Sequence, residues 1–398
     1  MTCARIGCVR TRKFLARQRA LLVVLLFCLA AAVGRAADRS DGRGRTPPRD
    51  EFAIGKDGRL ILLPVKLRDR NLNCLLDTGA SRSAIDASLK DELGVLCGTR
   101  LLKTPAGLKR VEVYNWPDAK LSGQPLKSDR PIACLDLADT RRGTNEEILG
   151  VIGMDILGKC RLQIDFDRGV LRFLESLPSA FELGEKIPIE FSRDGTPFIA
   201  GFVGNERAER FLIDTGAQGN SFDADLFDQL LSQGAIKLGI SSTCVTVAGT
   251  VQGDRGEISG LAVGPFAHTA LRFSRLNVNS LGIRYFSRFR VTFDFPGKAV
   301  YLQRGAHYTR PEPRATSGLT LNWIGGEAVV ESVREQGPAH VVGIRPGDLL
   351  VSVNGNDAVV HDPFMLRQLL TSEGGKQVAI TVNRGGRVLG FEIVLAAD

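Results

Sequence analysis

Cys74-Leu75-Leu76-Asp77-Thr78-Gly79-Ala80 is followed, 137 residues on, by a second copy: Phe211-Leu212-Ile213-Asp214-Thr215-Gly216-Ala217. Each copy is a short apolar run that meets one Asp and turns at once through Thr-Gly. A carboxylate placed just beyond three apolar residues is drawn toward the interior, where it needs hydrogen bonds or a shared proton. One such triplet would mean little, because Asp and Gly are common turn residues. Two of them in matching contexts point to a pair of carboxylates that hold one proton and activate a water.

The match extends outward from both copies. Lys56-Asp57-Gly58 opens the first unit and Arg193-Asp194-Gly195 the second, and each Asp-Gly lies at the same distance from its Asp-Thr-Gly. Arg59 to Leu67 reads as a strand, Arg68 to Asn71 as a turn and Leu72 to Leu76 as a second strand. Downstream, Asp86 corresponds to Asp223 and Leu89 to Leu226. Each unit closes similarly, with Val151-Ile152-Gly153 leading into Arg161–Gly169 and Ser280-Leu281-Gly282 leading into Arg290–Gly297. Alternation at period two around a Gly-containing turn predicts a β-hairpin at both ends. A unit of roughly 125 residues is too long for a solenoid repeat and fits duplicated domains.

These residues resemble the retropepsin-type aspartic proteases over nearly all of 51–305, once per half. The resemblance implies a mainly β fold in which two tandem lobes, 51–175 and 176–308, form a pseudo-dimer within one chain. It assigns the catalytic pair to Asp77 and Asp214. Thr78 and Thr215 would exchange hydrogen bonds, and Gly79 and Gly216 would allow close backbone approach. Ala80 and Ala217 complete the retroviral form of the motif, with Gly153 and Gly282 beneath the loops. Each lobe would carry a flap that closes over substrate; the candidates are Lys103–Leu108 with Val111–Trp116, and Cys244–Gly253. Tyr114 and Trp116 read either as pocket aromatics or as half-buried strand residues. Two departures stand out. Ser280 replaces an apolar residue, which would loosen the second lobe, and Arg284 stands where the first copy has Asp155.

A stiff linker at 309–316, rich in Arg and Pro, precedes a small α/β unit at 317–398. There Ile344-Arg345-Pro346-Gly347-Asp348-Leu349-Leu350-Val351-Ser352-Val353-Asn354-Gly355 resembles a PDZ domain. The resemblance implies peptide binding by strand addition and carboxylate capture in a loop at Gly318, Leu319, Thr320 and Leu321. Thr320 stands where such loops usually carry Gly. Phe364 to Leu370 would be the helix flanking the groove.

The formal charge of +8 is concentrated in seven basic residues before the first acid, Asp38, leaving the rest close to neutral and without a nucleic-acid footprint. Residues 1–36 read as a basic, apolar export signal cleaved after Ala36, or else as a retained membrane anchor. Residues 37–50 read as a flexible leader. Beyond the signal, five widely spaced cysteines leave room for one or two disulfides but show no framework and no zinc spacing. The four histidines are scattered, and no Gly-x-Ser-x-Gly or P-loop motif occurs. The sequence therefore reads as an exported aspartic endopeptidase without metal or cofactor, acting on peptide or protein as a monomer. The other reading is a non-catalytic peptide-binding protein at the cell envelope, with membrane contact only through an uncleaved signal.

Overall fold

The computed structural model describes residues 51–397, apart from 57, 105, 106, 205, 206, 240, 241, 247, 248, 313 and 314. The signal and leader readings, and the tips of both flap candidates, lie outside the described residues. The rest is mainly β, in several sheets.

In the first half, strand Leu62–Leu67 begins three residues later than its apolar run and turns at Arg68 (φ 50°) into strand Arg70–Leu76. Alternation sets the faces: Leu63, Val65 and Leu67 are buried, while Pro64 and Lys66 are exposed. Strand Arg70–Leu76 then lies parallel to Ile148–Ile152, with Leu76 opposite Ile152. That register brings Asp77 and Gly153 side by side at the end of a nine-stranded sheet. The second half repeats it. Strand Arg207–Asp214 lies parallel to Ser280–Gly282, with Asp214 opposite Gly282, in a ten-stranded sheet. Asp86 and Asp223 also play one role, each capping a short helix through its carboxylate, with Leu89 and Leu226 buried one turn on.

A six-stranded sheet joins the halves, and both predicted closing hairpins lie in it. Its order is Glu51–Ala53, Val170–Phe173, Arg161–Asp165, Phe289–Asp294, Ala299–Arg304 and Glu185–Pro188. The central pairing is two-fold: Arg161 faces Asp294 and Asp165 faces Arg290, with Gln163 opposite Thr292 between them. Gln163 Nε2 donates to Thr292 Oγ1 at 3.1 Å, and Arg161 pairs with Asp294 at 2.9 Å. One hydrophobic cluster runs through both halves, including Leu162, Ile164, Val291 and Phe293 of this sheet.

The C-terminal unit has its own core and a five-stranded sheet whose outer strand is Leu319–Ile324. Helix Pro363–Leu370 is capped by Asp362, which accepts from the Phe364 and Met365 amides, both at 3.1 Å. The predicted linker is more than a spacer. Glu312 is 5% exposed and faces the guanidinium groups of Arg284 at 3.6 Å, Arg288 at 3.7 Å and Arg255 at 4.0 Å. Arg284, the departure from the first copy, thus takes part in holding the segment that leads to the C-terminal unit. The other departure is absorbed as well: the buried Ser280 hydroxyl pairs with Ser221 Oγ at 2.8 Å, so nothing is left unpaired to loosen the sheet. Of the cysteines that left room for one or two disulfides, Cys74, Cys97, Cys134 and Cys160 are free thiols.

Removing one member of a buried charge cluster leaves the others uncompensated. Glu312→Gln is expected to lower stability by about 3 kcal/mol, read as a lower urea midpoint; an unchanged midpoint would show that solvent already screens the three arginines.

Candidate active site

The two Asp-Thr-Gly turns meet where the halves join, and their threonines exchange hydrogen bonds. The Thr78 amide donates to Thr215 Oγ1 and the Thr215 amide to Thr78 Oγ1, both at 3.0 Å. Each hydroxyl then donates across the junction, Thr78 Oγ1 to the Ile213 carbonyl at 2.7 Å and Thr215 Oγ1 to the Leu76 carbonyl at 2.8 Å. Both side chains are fully buried. A hydroxyl is needed at each place because it accepts one bond and donates the other.

The glycines come next. A Cβ added at Gly79 would lie 2.7 Å from the Asp214 carboxylate, and one at Gly216 would lie 2.3 Å from Asp77 Cγ. Each turn therefore lies directly against the opposite carboxylate, which is what brings Asp77 and Asp214 together. Beneath them, Gly153 and Gly282 leave no room for a side chain: an added Cβ would run into the Arg82 carbonyl at Gly153 and the Gly219 carbonyl at Gly282. The next amides, Met154 and Ile283, donate to the Ala80 and Ala217 carbonyls, both at 2.8 Å. All ten residues that the sequence assigned to this region are gathered here.

The carboxylates are oriented alike. Asp77 Oδ1 accepts from the Gly79 and Ala80 amides at 2.8 and 3.0 Å; Asp214 Oδ1 accepts from Gly216 and Ala217 at 3.1 and 3.0 Å. In each, Oδ2 receives none of these bonds. Burial raises both acids above the ordinary carboxylate range, and the charge of Asp77 raises Asp214 further, against the lowering effect of those amides. The pair therefore holds a proton that isolated aspartates would release, and it titrates as a unit.

Asp77 and Asp214 open into a cavity of about 1770 Å³. Hairpin Leu96–Thr104 with Gly107–Tyr114, the predicted first flap, supplies Leu101, Leu102 and Leu108 to its wall. Leu101 and Leu108 are more than half exposed, as apolar residues facing an open cleft would be. Tyr114 and Trp116 do not line this cavity. Tyr114 is buried at the end of its strand with its hydroxyl on Glu112, whereas Trp116 is half-buried two residues past that strand, with Nε1 donating to the Arg130 carbonyl. The second candidate forms a hairpin, Ser242–Thr246 with Gly249–Gly253, running against helix Ala138–Thr144. Among the described residues no group of side chains has the makings of a metal site.

The same cavity continues along strand Leu319–Ile324 and helix Pro363–Leu370, where Leu319, Leu321 and Phe364 line it. The PDZ family model matches residues 329–384, a range that includes the flanking helix but begins after the outer strand. Those residues are a PDZ domain. Two solved structures are similar to that region. The PDZ domain of a carboxy-terminal protease from Vibrio cholerae, in complex with peptide, shares 20% identity over 21% of this chain and 96% of its own, with a TM-score of 0.19. A photosystem II D1 C-terminal processing protease shares 24% identity over 20% of this chain, with a TM-score of 0.20, and the chain spans about a fifth (22%) of that protein's length. No curated protein matches the chain.

In the PDZ domain, Gly318 (φ 79°) turns the chain into the outer strand. The Gly318 and Leu319 amides donate to Thr316 Oγ1 and Ser317 Oγ at 3.1 and 3.3 Å, so two donors of the expected carboxylate loop already have partners. Contacts that the sequence did not reveal fix the domain against the first half. Arg59 makes a two-pronged pair with Asp362 at 2.7 and 3.1 Å and stacks 4.8 Å from the Phe364 ring. Asn145 Nδ2 donates to the His361 carbonyl at 3.0 Å, and Arg367 to the Gly143 carbonyl at 3.2 Å. Arg59 had been read only as the start of a strand.

Two outcomes are expected. Thr78→Val removes a hydroxyl and strands the buried Thr215 amide and Ile213 carbonyl, costing about 2–4 kcal/mol in chemical denaturation; Thr78→Ser should recover most of it. The second concerns pH. Native carboxylates with raised pKa bind protons more tightly than the unfolded chain does. The pair's contribution to stability is therefore fullest below the unfolded value of about 4 and is lost as pH rises through the raised native values. Asp214→Asn, which keeps an acceptor at Oδ1, should gain in melting temperature relative to wild type as pH rises from about 4 to 8; a constant difference would mean that the pair is not raised.

Proposed function

We propose that the chain is an aspartic endopeptidase built from two retropepsin-like lobes, with Asp77 and Asp214 as its catalytic pair and a PDZ domain that docks substrate. One observation carries the reading: each Asp-Thr-Gly turn lies against the opposite carboxylate, and both acids line one cavity of about 1770 Å³. A structural role for two capping aspartates would not require them to meet, to be buried together and to face a cavity.

In the proposed mechanism the pair holds one proton. The ionised carboxylate removes a proton from a water lying between the two acids, and that water attacks the peptide carbonyl. The protonated partner gives its proton to the carbonyl oxygen, forming a neutral tetrahedral diol. The acid that now holds the proton gives it to the amide nitrogen while its partner takes one from a diol hydroxyl; the C–N bond breaks to leave a carboxylic acid and an amine, and the pair is again singly protonated. Base and acid are roles of the pair rather than of either residue. The four threonine bonds hold both turns, so little rearrangement accompanies the reaction.

Among the described residues the outer PDZ strand pairs with a strand on one side alone; a peptide adds along its other edge, and the shared cavity lets the same polypeptide reach the Asp pair. Because one chain supplies both carboxylates, the proposed enzyme works as a monomer, and specific activity should not fall on dilution. The basic and apolar start supports the reading of an exported protein, with or without retention of that segment.

The reading is tested by peptide cleavage with protein lacking residues 1–36. Asp77→Asn and Asp214→Asn should each lower kcat by at least about a thousandfold, and the wild-type profile should be bell-shaped with its maximum near about pH 5–7. Peptide binding without cleavage in wild type would favour the non-catalytic peptide-binding protein, and turnover in both variants would place the chemistry elsewhere.

A further inference from the structure

Among the described residues, eleven arginines and no lysine line the cavity, against seven acids, two of which are the Asp pair. Several of these arginines are matched by carboxylates, as Arg59 is by Asp362 and Arg142 by Asp139. Arg82, Arg100 and Arg130 are not. Their hydrogen bonds end on neutral main-chain carbonyls: Arg82 on Pro131 at 3.3 Å, Arg100 on Thr99 at 3.0 Å and Arg130 on Asp194 at 2.9 Å. Of two nearby acids, Asp155 keeps one buried oxygen, Oδ2, without a hydrogen-bond partner and acts on Arg82 through its charge, whereas Asp194 is engaged locally. Asp155 Oδ1 takes both the amide and the hydroxyl of Ser83, and the Asp194 carboxylate is tied to Ser192 and Thr196 within its own turn.

Their placement surrounds one side of the cleft. Arg82 lies on the loop that continues from Asp77, Arg100 on a strand of the first hairpin, and Arg130 reaches across to the turn that opens the second half. Arg82 and Arg130 are also joined through the Pro131 carbonyl, one residue from Arg130. Burial, then the charge of Arg130, lower the Arg82 pKa; Asp155 opposes them, and the charge of Arg100 adds a smaller lowering effect. An anion placed among them would relieve that repulsion.

We propose that Arg82, Arg100 and Arg130 form a subsite for a carboxylate on the polypeptide in the cleft, an Asp or Glu side chain near the bond to be cut. This rests on the peptidase reading above and adds a substrate class to it, acidic segments. The planar guanidinium fork suits a carboxylate held by two parallel hydrogen bonds, and two or three such forks select it over an uncharged isostere.

The test uses peptides acetylated at the N-terminus and amidated at the C-terminus, with a single Glu, Gln or Lys walked through four positions on either side of the cleaved bond. Wild-type kcat/KM should favour Glu over Gln by at least about tenfold at one position, and the preference should shrink at high salt. Arg130→Glu should reverse it toward Lys at that same position, a change that mere loosening of the cleft would not produce. The peptides are also followed by fluorescence anisotropy on Asp214→Asn protein, so that the subsite is read apart from turnover. A Glu preference in binding with no wild-type cleavage supports the subsite and overturns the peptidase reading. Cleavage with Glu and Gln equal at every position overturns the subsite alone, and equal binding with no cleavage overturns both. A parallel set with free C-termini separates the carboxylate sources: a preference that follows the free terminus rather than Glu overturns the side-chain form of the proposal.

Discussion

The organising constraint is the fit of each Asp-Thr-Gly turn against the other half of the chain. Gly79 leaves space for the Asp214 carboxylate, Gly216 for that of Asp77, and four bonds through Thr78 and Thr215 fix the distance. Neither turn can satisfy its buried groups alone, since the amide and hydroxyl of each threonine find partners only across the junction. The six-stranded sheet with Gln163 and Thr292 at its centre holds the halves in the register this requires. Stability and the acid pair thus depend on the same contact.

Much of this could be read from the chain because duplication leaves a local trace. The parallel pairing of Leu76 with Ile152, and of Asp214 with Gly282, follows from apolar runs that end at matching residues. Asp86 and Asp223 were recognisable as counterparts because each caps a helix by a purely local bond. What could not be read depends on contacts between distant segments. Nothing around Arg59 signals that it will meet Asp362, 303 residues away, and nothing in the Arg-Pro-rich linker signals that Glu312 will be buried among three arginines. The Ser280 departure looked harmful because its partner, the Ser221 hydroxyl, lies 59 residues earlier. For Tyr114 and Trp116 the sequence fitted either a pocket or a strand, and the structure puts Tyr114 at the end of its strand and Trp116 two residues past it, with hydrogen bonds to Glu112 and Arg130.

The PDZ domain adds reach to the cleft rather than standing apart from it. Its groove and the Asp pair share one cavity, and Arg59, Asn145 and Arg367 fix the helix side of the groove to the first half. Carboxylate capture is the weaker part of the resemblance in physical terms. Two amides of the loop are already paired with Thr316 and Ser317, and among the described residues the outer strand pairs with a strand on one side alone, with helix Ala138–Thr144 close to it.

The central claim is that one acid from each half shares a single proton. Carbon-13 NMR of selectively labelled aspartate carboxyls, followed from about pH 2 to 9 in wild type and in Asp77→Asn, reads this directly. The account predicts two resonances that move together in two steps, the later one well above the ordinary aspartate range, and a single step for Asp214 once Asp77 is replaced. Two independent titrations near the ordinary value of about 4 would contradict it.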